Sequence, residues 1–185
     1  MGKMGKISNP NARRNYEILE TYEAGIELVG TEVKAGEAAP DFTVLSPELK
    51  EVKLSDYKGK VVVINFWATW CGYCVQEMPE FEKVYKEFGS NKKDVIILGV
   101  AGPISKENQN NVDVEKDEVI SFLKKKNITY PTLMDEAGKS FDDYKVRALP
   151  MTYVINKDGY LEGFVSGAIT AEQLRKAVNE TLKKK

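Results

Sequence analysis

Cys71 and Cys74 are the residues of this sequence whose type and spacing best suit covalent chemistry, and the chain has no other cysteine. A thiolate attacks a disulfide sulfur and forms a mixed disulfide, which a second thiol nearby can resolve. The chain also contains no histidine. This excludes Cys–His and Ser–His nucleophile pairs and every histidine metal ligand. The cysteine pair therefore predicts a centre that alternates between dithiol and disulfide.

A strand and a helix are predicted to meet at these cysteines. Residues 61–66 are a nearly continuous apolar run, which indicates a central strand buried on both faces. Residues 73–88 carry apolar side chains at helical spacing, which predicts an amphipathic helix. The first sulfur then lies at a helix N-terminus, where unpaired backbone N–H groups and the helix dipole favour the thiolate. Cys71 is thus predicted to be the nucleophile and Cys74 the resolving thiol.

A pair of cysteines at this spacing can also be half of a zinc site, or two incidental core residues. A structural zinc ion needs about four ligands. Because the chain has no histidine and no further cysteine, only carboxylates could complete such a set. The sequence therefore favours the redox interpretation. It predicts no metal site and no cofactor besides a redox-active Cys71–Cys74 disulfide.

The rest of the chain alternates between predicted strands and helices from about residue 36 onward. The predicted elements are a strand pair at 42–45 and 51–54, strands at 95–100, 152–156 and 160–165, helices at 115–126 and 171–182, an edge segment at 129–133 and a helical turn at 141–144. Residues 101–114 are polar and longer than a usual strand-to-helix connection, so they are expected to form a mobile loop. This order predicts an α/β fold with a mixed sheet and helices on both faces.

Length and composition place the chain among ordinary soluble proteins. Its 185 residues suit one well-buried domain with additions, and 42% of them are hydrophobic and 30% charged. The net charge of -1 provides no global field that would attract nucleic acid, and no nucleic-acid partner is expected. The first residues are polar rather than apolar, so neither a signal peptide nor a membrane anchor is predicted from them.

The segment around the cysteines, VVVINFWATWCGYCVQEMPEF at residues 61–81, resembles the active-site segment of TlpA/ResA-type redoxins, a group of the thioredoxin superfamily and the AhpC/TSA family. Residues 39–42 and 54–60 resemble the opening of these proteins, and residues 147–156 resemble their cis-proline segment. The resemblance covers about residues 36–182. It implies a thioredoxin-like fold, with a central mixed β-sheet flanked by helices and an added N-terminal β-hairpin.

The resemblance also implies roles for residues beyond the cysteines. Pro150 matches the proline whose cis peptide faces the disulfide, and Glu77 matches a glutamate that could take the proton of the resolving thiol. Asn65 stands where thioredoxin has a buried aspartate, which shifts proton handling toward Glu77. The residues implied to line the substrate groove are Trp70, Gly72, Tyr73 and Leu149.

The function implied is a thiol-disulfide oxidoreductase that reduces disulfides in partner proteins and maintains cell redox homeostasis. Three alternatives remain. The Gly72-Tyr73 dipeptide also occurs in bacterial disulfide isomerases, so isomerase activity stays open. A Cu(I) metallochaperone is a second alternative, although related copper-delivery proteins also use a histidine. A thiol peroxidase is disfavoured, because Ala68 and Ile64 stand where peroxiredoxins have a threonine and a proline.

The implied partners are disulfide-containing client proteins and an upstream thiol donor, which in relatives is often a membrane thiol-transfer protein. The chain is expected to be a monomer. Its compartment is not given by the sequence, although the resemblance implies the extracytoplasmic or envelope side if a leader is missing.

The N-terminal arm, residues 1–35, does not fit the redoxin pattern. Residues 11–34, NARRNYEILETYEAGIELVGTEVK, resemble the opening of SmpB, the tmRNA-binding protein. The remainder of that small barrel is absent, and a partial barrel cannot close its sheet. We therefore expect a fusion remnant or appendage at 1–35 and a redoxin domain at 36–185.

Overall fold

A computed structural model of the chain describes residues 35–46, 48 and 50–184. Residues 1–34, which contain the SmpB-like segment, lie outside this range, so the expected division into an arm and a redoxin domain stays a prediction. The strands are β1 Thr43–Leu45, β2 Glu51–Lys53, β3 Val61–Trp67, β4 Val95–Ala101, β5 Pro103–Ile104, β6 Asp113–Glu115, β7 Thr132–Met134, β8 Met151–Ile155 and β9 Leu161–Ser166. The helices are a 3-10 helix at Leu54–Tyr57 and α1 Gly72–Glu87, α2 Lys116–Lys125, α3 Lys139–Asp143 and α4 Ala171–Lys183.

Seven of these strands form one mixed sheet in the order β2-β1-β7-β4-β3-β8-β9. Strands β3, β4 and β7 run parallel, while β8 and β9 continue the sheet in antiparallel pairing. The N-terminal hairpin of β1 and β2 joins the sheet beside β7 through the pair Leu45–Met134. The thioredoxin-like fold with an added hairpin is therefore confirmed. The prediction of an edge segment at 129–133 is wrong, because β1 pairs with β7 and β2 becomes the edge strand on that side of the sheet.

Strand β3 lies at the centre of the molecule and carries the chain to the cysteines. All seven of its residues are buried, as the unbroken apolar run predicts for a strand covered on both faces. Ile64 and Phe66 pack on one face with Phe141 of α3. Val63 packs on the other face with Phe81 of α1. The helices thus cover both faces of the sheet, as predicted.

Helix α4 closes the fold against α1 and β3. Thr170 caps it: its side-chain hydroxyl accepts a hydrogen bond from the Gln173 amide at 3.3 Å, and the Gln173 side chain accepts one from the Thr170 amide at 2.9 Å. This reciprocal pair of bonds is a capping box. Ile169 directly precedes this cap.

The segment between β4 and α2 differs from the mobile loop that was predicted. Strands β5 and β6 form a small parallel sheet, and the Asn111 side-chain amide donates to the carbonyls of Pro103 at 2.9 Å and Asp135 at 2.8 Å. These bonds replace the water that would solvate a polar loop, so residues 102–115 form an ordered insert. We refer to residues 102–115 as the insert below.

Candidate active site at the start of helix α1

Cys71 and Cys74 form a disulfide at the junction of β3 and α1, with their Cα atoms 5.2 Å apart. Cys71 is the N-cap residue of α1, and its sulfur accepts a hydrogen bond from the Cys74 amide at 3.2 Å. That amide is one of the donors that a helix N-terminus leaves without an intrahelical partner. The same contact would stabilise a thiolate on Cys71 after reduction.

The disulfide is buried between two exposed aromatic side chains. Cys71 is 6% exposed and Cys74 1%, whereas Trp70 is 65% and Tyr73 67% exposed. Gly72 lies between them on the surface, and a Cβ atom added to it would have no neighbouring atom within 4 Å. Large apolar rings left in water beside a reactive group commonly mark a contact surface for a partner. Three of the four predicted groove residues, Trp70, Gly72 and Tyr73, are thus exposed next to Cys71 in the chain, and their role in a groove stays a prediction.

The Leu149–Pro150 peptide bond is cis, as the resemblance implies. Leu149 packs against the apolar cluster that contains both cysteines. Pro150 is buried, and its carbonyl accepts a hydrogen bond from the Gly167 amide at 3.0 Å. The fold thus brings the segment before β8 to the disulfide, although about 75 residues of chain separate the two in the sequence.

Glu77 lies one turn after Cys74 on α1 and is almost fully buried at 2% exposure. One carboxyl oxygen accepts from the Asn65 side-chain amide at 2.7 Å, and the other accepts from the Ile169 amide at 3.0 Å. Burial raises the pKa of Glu77 to about 8, against the opposing effect of these two hydrogen bonds. The loss of solvation destabilises the ionised carboxylate more than the hydrogen bonds from two neutral donors stabilise it.

Asn65 links Glu77 to the sheet. Its amide nitrogen also contacts the Thr152 hydroxyl on β8 at 3.1 Å, and Asn65 itself is buried on β3. A neutral amide at this place donates to Glu77, whereas an ionised aspartate would repel its charge. Where thioredoxin has a buried aspartate on this strand, this chain has Asn65, and the buried carboxyl group comes instead from Glu77 on α1.

Asp113 and Val112, which hold the turn before Cys71, were not predicted from the sequence to belong to the site. The Asp113 carboxylate accepts hydrogen bonds from the Thr69 amide at 2.7 Å and from the Thr69 hydroxyl. The Trp70 indole N–H donates to the Val112 carbonyl at 2.8 Å. The alternation of apolar and acidic residues at 112–115 is typical of a short strand and was the signal that could have found them.

Among the residues that the structure describes, no group of three or more acidic, cysteine or histidine side chains is placed to hold a metal ion. Within the same residues, no helix is long and apolar enough to cross a bilayer. The site contains the disulfide, the buried carboxyl group of Glu77 and the exposed aromatic rings of Trp70 and Tyr73.

Comparison with known families agrees with this geometry. The sequence profile of the AhpC/TSA family matches residues 35–163. The profile of the SmpB protein matches residues 6–39, which confirms the resemblance noted for the N-terminal segment.

Curated relatives carry a common description. The thiol-disulfide oxidoreductase ResA of Oceanobacillus iheyensis is 36% identical over 151 residues, which span 80% of this chain and 72% of the relative. The protein of the same name from Bacillus subtilis is 31% identical over 164 residues, spanning 89% of this chain and 83% of the relative.

Solved structures show the same architecture. The pneumococcal exposed lipoprotein thioredoxin Etrx1 of Streptococcus pneumoniae is 30% identical, with a TM-score of 0.64, and the match covers 76% of this chain and 99% of that one. A putative protein disulfide isomerase of Bacteroides thetaiotaomicron is 30% identical with a TM-score of 0.69, over 85% of this chain and 95% of that one. A putative thiol:disulfide interchange protein DsbE of Chlorobium tepidum, 24% identical with a TM-score of 0.69 over 82% and 99% of the two chains, supports the fold.

Proposed function

The chain belongs to the AhpC/TSA family as a ResA-type thiol-disulfide oxidoreductase, and from this premise we propose that it reduces disulfides in client proteins through Cys71 and Cys74. The observation that carries the proposal is the disulfide at the N-terminus of α1, nearly buried yet bordered by the exposed rings of Trp70 and Tyr73. We therefore assign Cys71, the more exposed of the two at 6%, to attack on the client, and Cys74, at 1%, to the resolving step.

The reaction begins with the reduced pair. The Cys71 thiolate attacks one sulfur of the client disulfide, forms a mixed disulfide and releases the other client sulfur as a thiolate, which takes a proton from water. Cys74 then loses its proton and attacks Cys71. The mixed disulfide breaks, the second client thiolate leaves, and the Cys71–Cys74 disulfide forms. Two electrons have passed to the client, and an external dithiol must return them.

Glu77 is proposed to accept the proton of Cys74 in the second step. Its position three residues after Cys74 places both on one face of α1. With a pKa of about 8, Glu77 is mostly protonated near neutral pH, and its ionised minority is the form that accepts a proton. Because the ordinary pKa of a thiol is about 8.5, that ionised form takes the Cys74 proton at little cost. An unperturbed glutamate would be about four units too acidic for this exchange.

The proposed groove comprises Trp70, Gly72, Tyr73 and Leu149 together with Pro150. Leu149 packs on the apolar cluster of the cysteines, and the two aromatic rings stand exposed beside the disulfide. A client chain laid across this surface would bury the rings and bring its disulfide to Cys71. Disulfide-containing proteins are thus the clients, and a thiol protein is the proposed electron donor to a monomeric enzyme.

An extracytoplasmic location is proposed for the active protein. It is supported by the description of one similar structure as an exposed lipoprotein and by the persistence of disulfide clients in oxidising compartments. Fractionation of cells expressing the full natural gene tests it. Activity confined to the cytosolic fraction would contradict the proposed location.

Insulin reduction with dithiothreitol as electron source tests the proposed activity. The full chain should precipitate the insulin B chain far faster than dithiothreitol alone, and Cys71→Ser should return the rate to that background. The matched control is Ser121→Cys, which adds a thiol at an exposed position of α2 and should leave the rate unchanged. Equal rates for the wild type and Cys71→Ser would refute the proposal.

Isomerase activity is the second candidate, favoured by the similarity to the putative isomerase from Bacteroides thetaiotaomicron and by the Gly72-Tyr73 dipeptide. The reduction potential of the Cys71–Cys74 pair separates the two functions. A value near that of thioredoxin, about -270 mV, supports the reductase, and one of about -180 to -120 mV supports an isomerase or oxidant.

A further inference from the structure

Asp113 is a buried carboxylate on the insert, 4% exposed, that the reaction described above does not use. It accepts hydrogen bonds from the amide and hydroxyl of Thr69, two residues before the reactive Cys71. The Val114 amide also donates to it at 2.8 Å. Charge-assisted hydrogen bonds are stronger than neutral ones, so the two Thr69 donors form a firm attachment between β6 and the active-site turn, while the Val114 amide fixes the carboxylate within β6.

The next residue of the turn is attached to the insert as well. The indole N–H of Trp70 donates to the Val112 carbonyl, while most of the ring remains in solvent. Two consecutive residues before the nucleophile are thus bonded to two consecutive residues of the insert. A ring held at its N–H has one orientation, whereas a free exposed side chain samples several rotamers.

The insert is itself anchored to the sheet edge where β4 and β7 end. The Asn111 side-chain amide donates to the carbonyls of Asp135 at 2.8 Å and Glu136 at 3.2 Å, just after β7, and within the insert the Asp113 amide donates to the Gly102 carbonyl at 2.9 Å. A Cβ atom on Gly102, the residue directly after β4, would lie 2.8 Å from the Asn111 side-chain oxygen, so Asn111 packs as close to this end of β4 as glycine permits. The attachment points of Thr69 and Trp70 are therefore fixed relative to β3.

We propose that Asp113 is a positioning residue for client binding, which holds the Thr69–Trp70 turn so that the Trp70 ring is presented to a protein disulfide. This inference rests on the proposed reductase function and assigns the insert to client recognition. Holding the ring in advance lowers the conformational cost of ordering it when a client docks. The sulfur chemistry of Cys71 does not require that ring, so a small disulfide should not depend on Asp113.

Asp113→Asn tests the proposal, because an amide cannot accept from all three donors and directs its own N–H toward one of them. We expect KM for insulin to rise about 3- to 10-fold, as ordering one free aromatic side chain implies, with kcat within about twofold of wild type. The rate with the small disulfide 5,5′-dithiobis(2-nitrobenzoate) should also stay within about twofold. Asp117→Asn, an exposed acid of α2, is the control and should leave all three values unchanged.

A second pair of variants guards against failure of Asp113→Asn to fold. Thr69→Val removes the hydroxyl that bonds Asp113 and should raise KM for insulin, whereas Thr69→Ser retains it and should keep the wild-type value. An unchanged KM in the folded variants contradicts the proposal. A parallel loss of rate with insulin and with the small disulfide contradicts it too, since Asp113 would then act on the sulfur chemistry or the fold.

Fluorescence anisotropy of tryptophan, combined with acrylamide quenching, reports the ring directly. Trp67 is fully buried, so quenching arises from Trp70, and the anisotropy should fall in Asp113→Asn as the ring is released. Unchanged anisotropy contradicts the positioning role. This readout needs no client: if wild-type protein failed to reduce insulin, the proposed function would fail while the anisotropy still decided the role of Asp113.

Discussion

The raised pKa of Glu77 affects both its proposed role as proton acceptor and the pH dependence of protein stability. It is a carboxyl group that burial keeps protonated near neutral pH, with a pKa of about 8, while Asn65 and the Ile169 amide fix both of its oxygens. The unfolded chain, by contrast, releases this proton around the ordinary pKa of 4.5. The native state therefore binds more protons than the unfolded state between these two values.

This difference predicts how stability depends on pH. The contribution of Glu77 to the free energy of unfolding is fully present below about pH 4.5 and is lost as pH rises toward 8, at up to about 1.4 kcal/mol per pH unit. Urea unfolding of the oxidised protein between pH 5 and pH 8 measures it. Glu77→Gln, which cannot ionise, should show a flatter curve, and parallel curves for the two proteins would contradict the assignment.

Asn65→Asp should strengthen the same effect. A second carboxyl group at hydrogen-bond distance from Glu77 places two like charges together, so the pair should retain a shared proton to higher pH. The limb of the pH–rate profile that rises as Glu77 loses its proton should move to higher pH with a small disulfide. Asn65→Ala, which removes the donor without adding charge, is the control, and equal shifts in both variants would show that charge is not the cause.

The sequence relates three residues of the proposed site to one another, but it does not reveal their contacts. Cys71, Cys74 and Glu77 lie within one turn or two of a single helix, and local spacing is enough to relate them. The donors to Glu77 come from Asn65, 12 positions away, and from Ile169, 92 positions away. No local periodicity encodes contacts made by tertiary packing, so burial and the raised pKa of Glu77 emerge only from the fold.

Helix α4 shows how an element can support the site from a distance. Its cap at Thr170 follows directly after Ile169, whose amide donates to Glu77. Thr170→Ala should lower the free energy of unfolding by about 1 kcal/mol, the usual effect of losing a side-chain cap. Thermal or urea unfolding measures the loss. Thr170→Ser keeps the hydroxyl and should behave as wild type; an equal loss in Ser and Ala variants would show that the cap is not responsible.

Strand β3 and the insert mark the two extremes of what the sequence reveals about elements. The run of residues 61–66 is apolar throughout, and burial of a strand on both faces leaves few alternatives for such a run. The polar side chains of Asn111 and Asp113 in the insert form hydrogen bonds with backbone groups instead of with water. In the sequence, a polar residue that bonds the backbone cannot be told from one that bonds water. The polar pattern of the insert therefore predicted a loop.

The whole molecule places its reactive pair at the centre of the sheet, where β3 ends. Its described core clusters are built from residues 35–178. Ala35, the last residue of the predicted arm 1–35, packs in the core. A chain that begins at Ala35 should therefore fold and reduce insulin at the rate of the full chain, as expected if the rest of the arm is an appendage to the redoxin domain. Circular dichroism and the insulin assay check this. Loss of folding in the shortened chain would contradict the proposed division.

The central claim is that Cys71 attacks the client and Cys74 resolves the mixed disulfide. The most direct test is to incubate reduced Cys74→Ser with oxidised insulin and identify the adduct by mass spectrometry under non-reducing conditions. The account predicts a stable mixed disulfide between insulin and Cys71, and none with Cys71→Ser, whose remaining thiol is buried. An adduct formed equally well by Cys71→Ser, or none in Cys74→Ser, would contradict it.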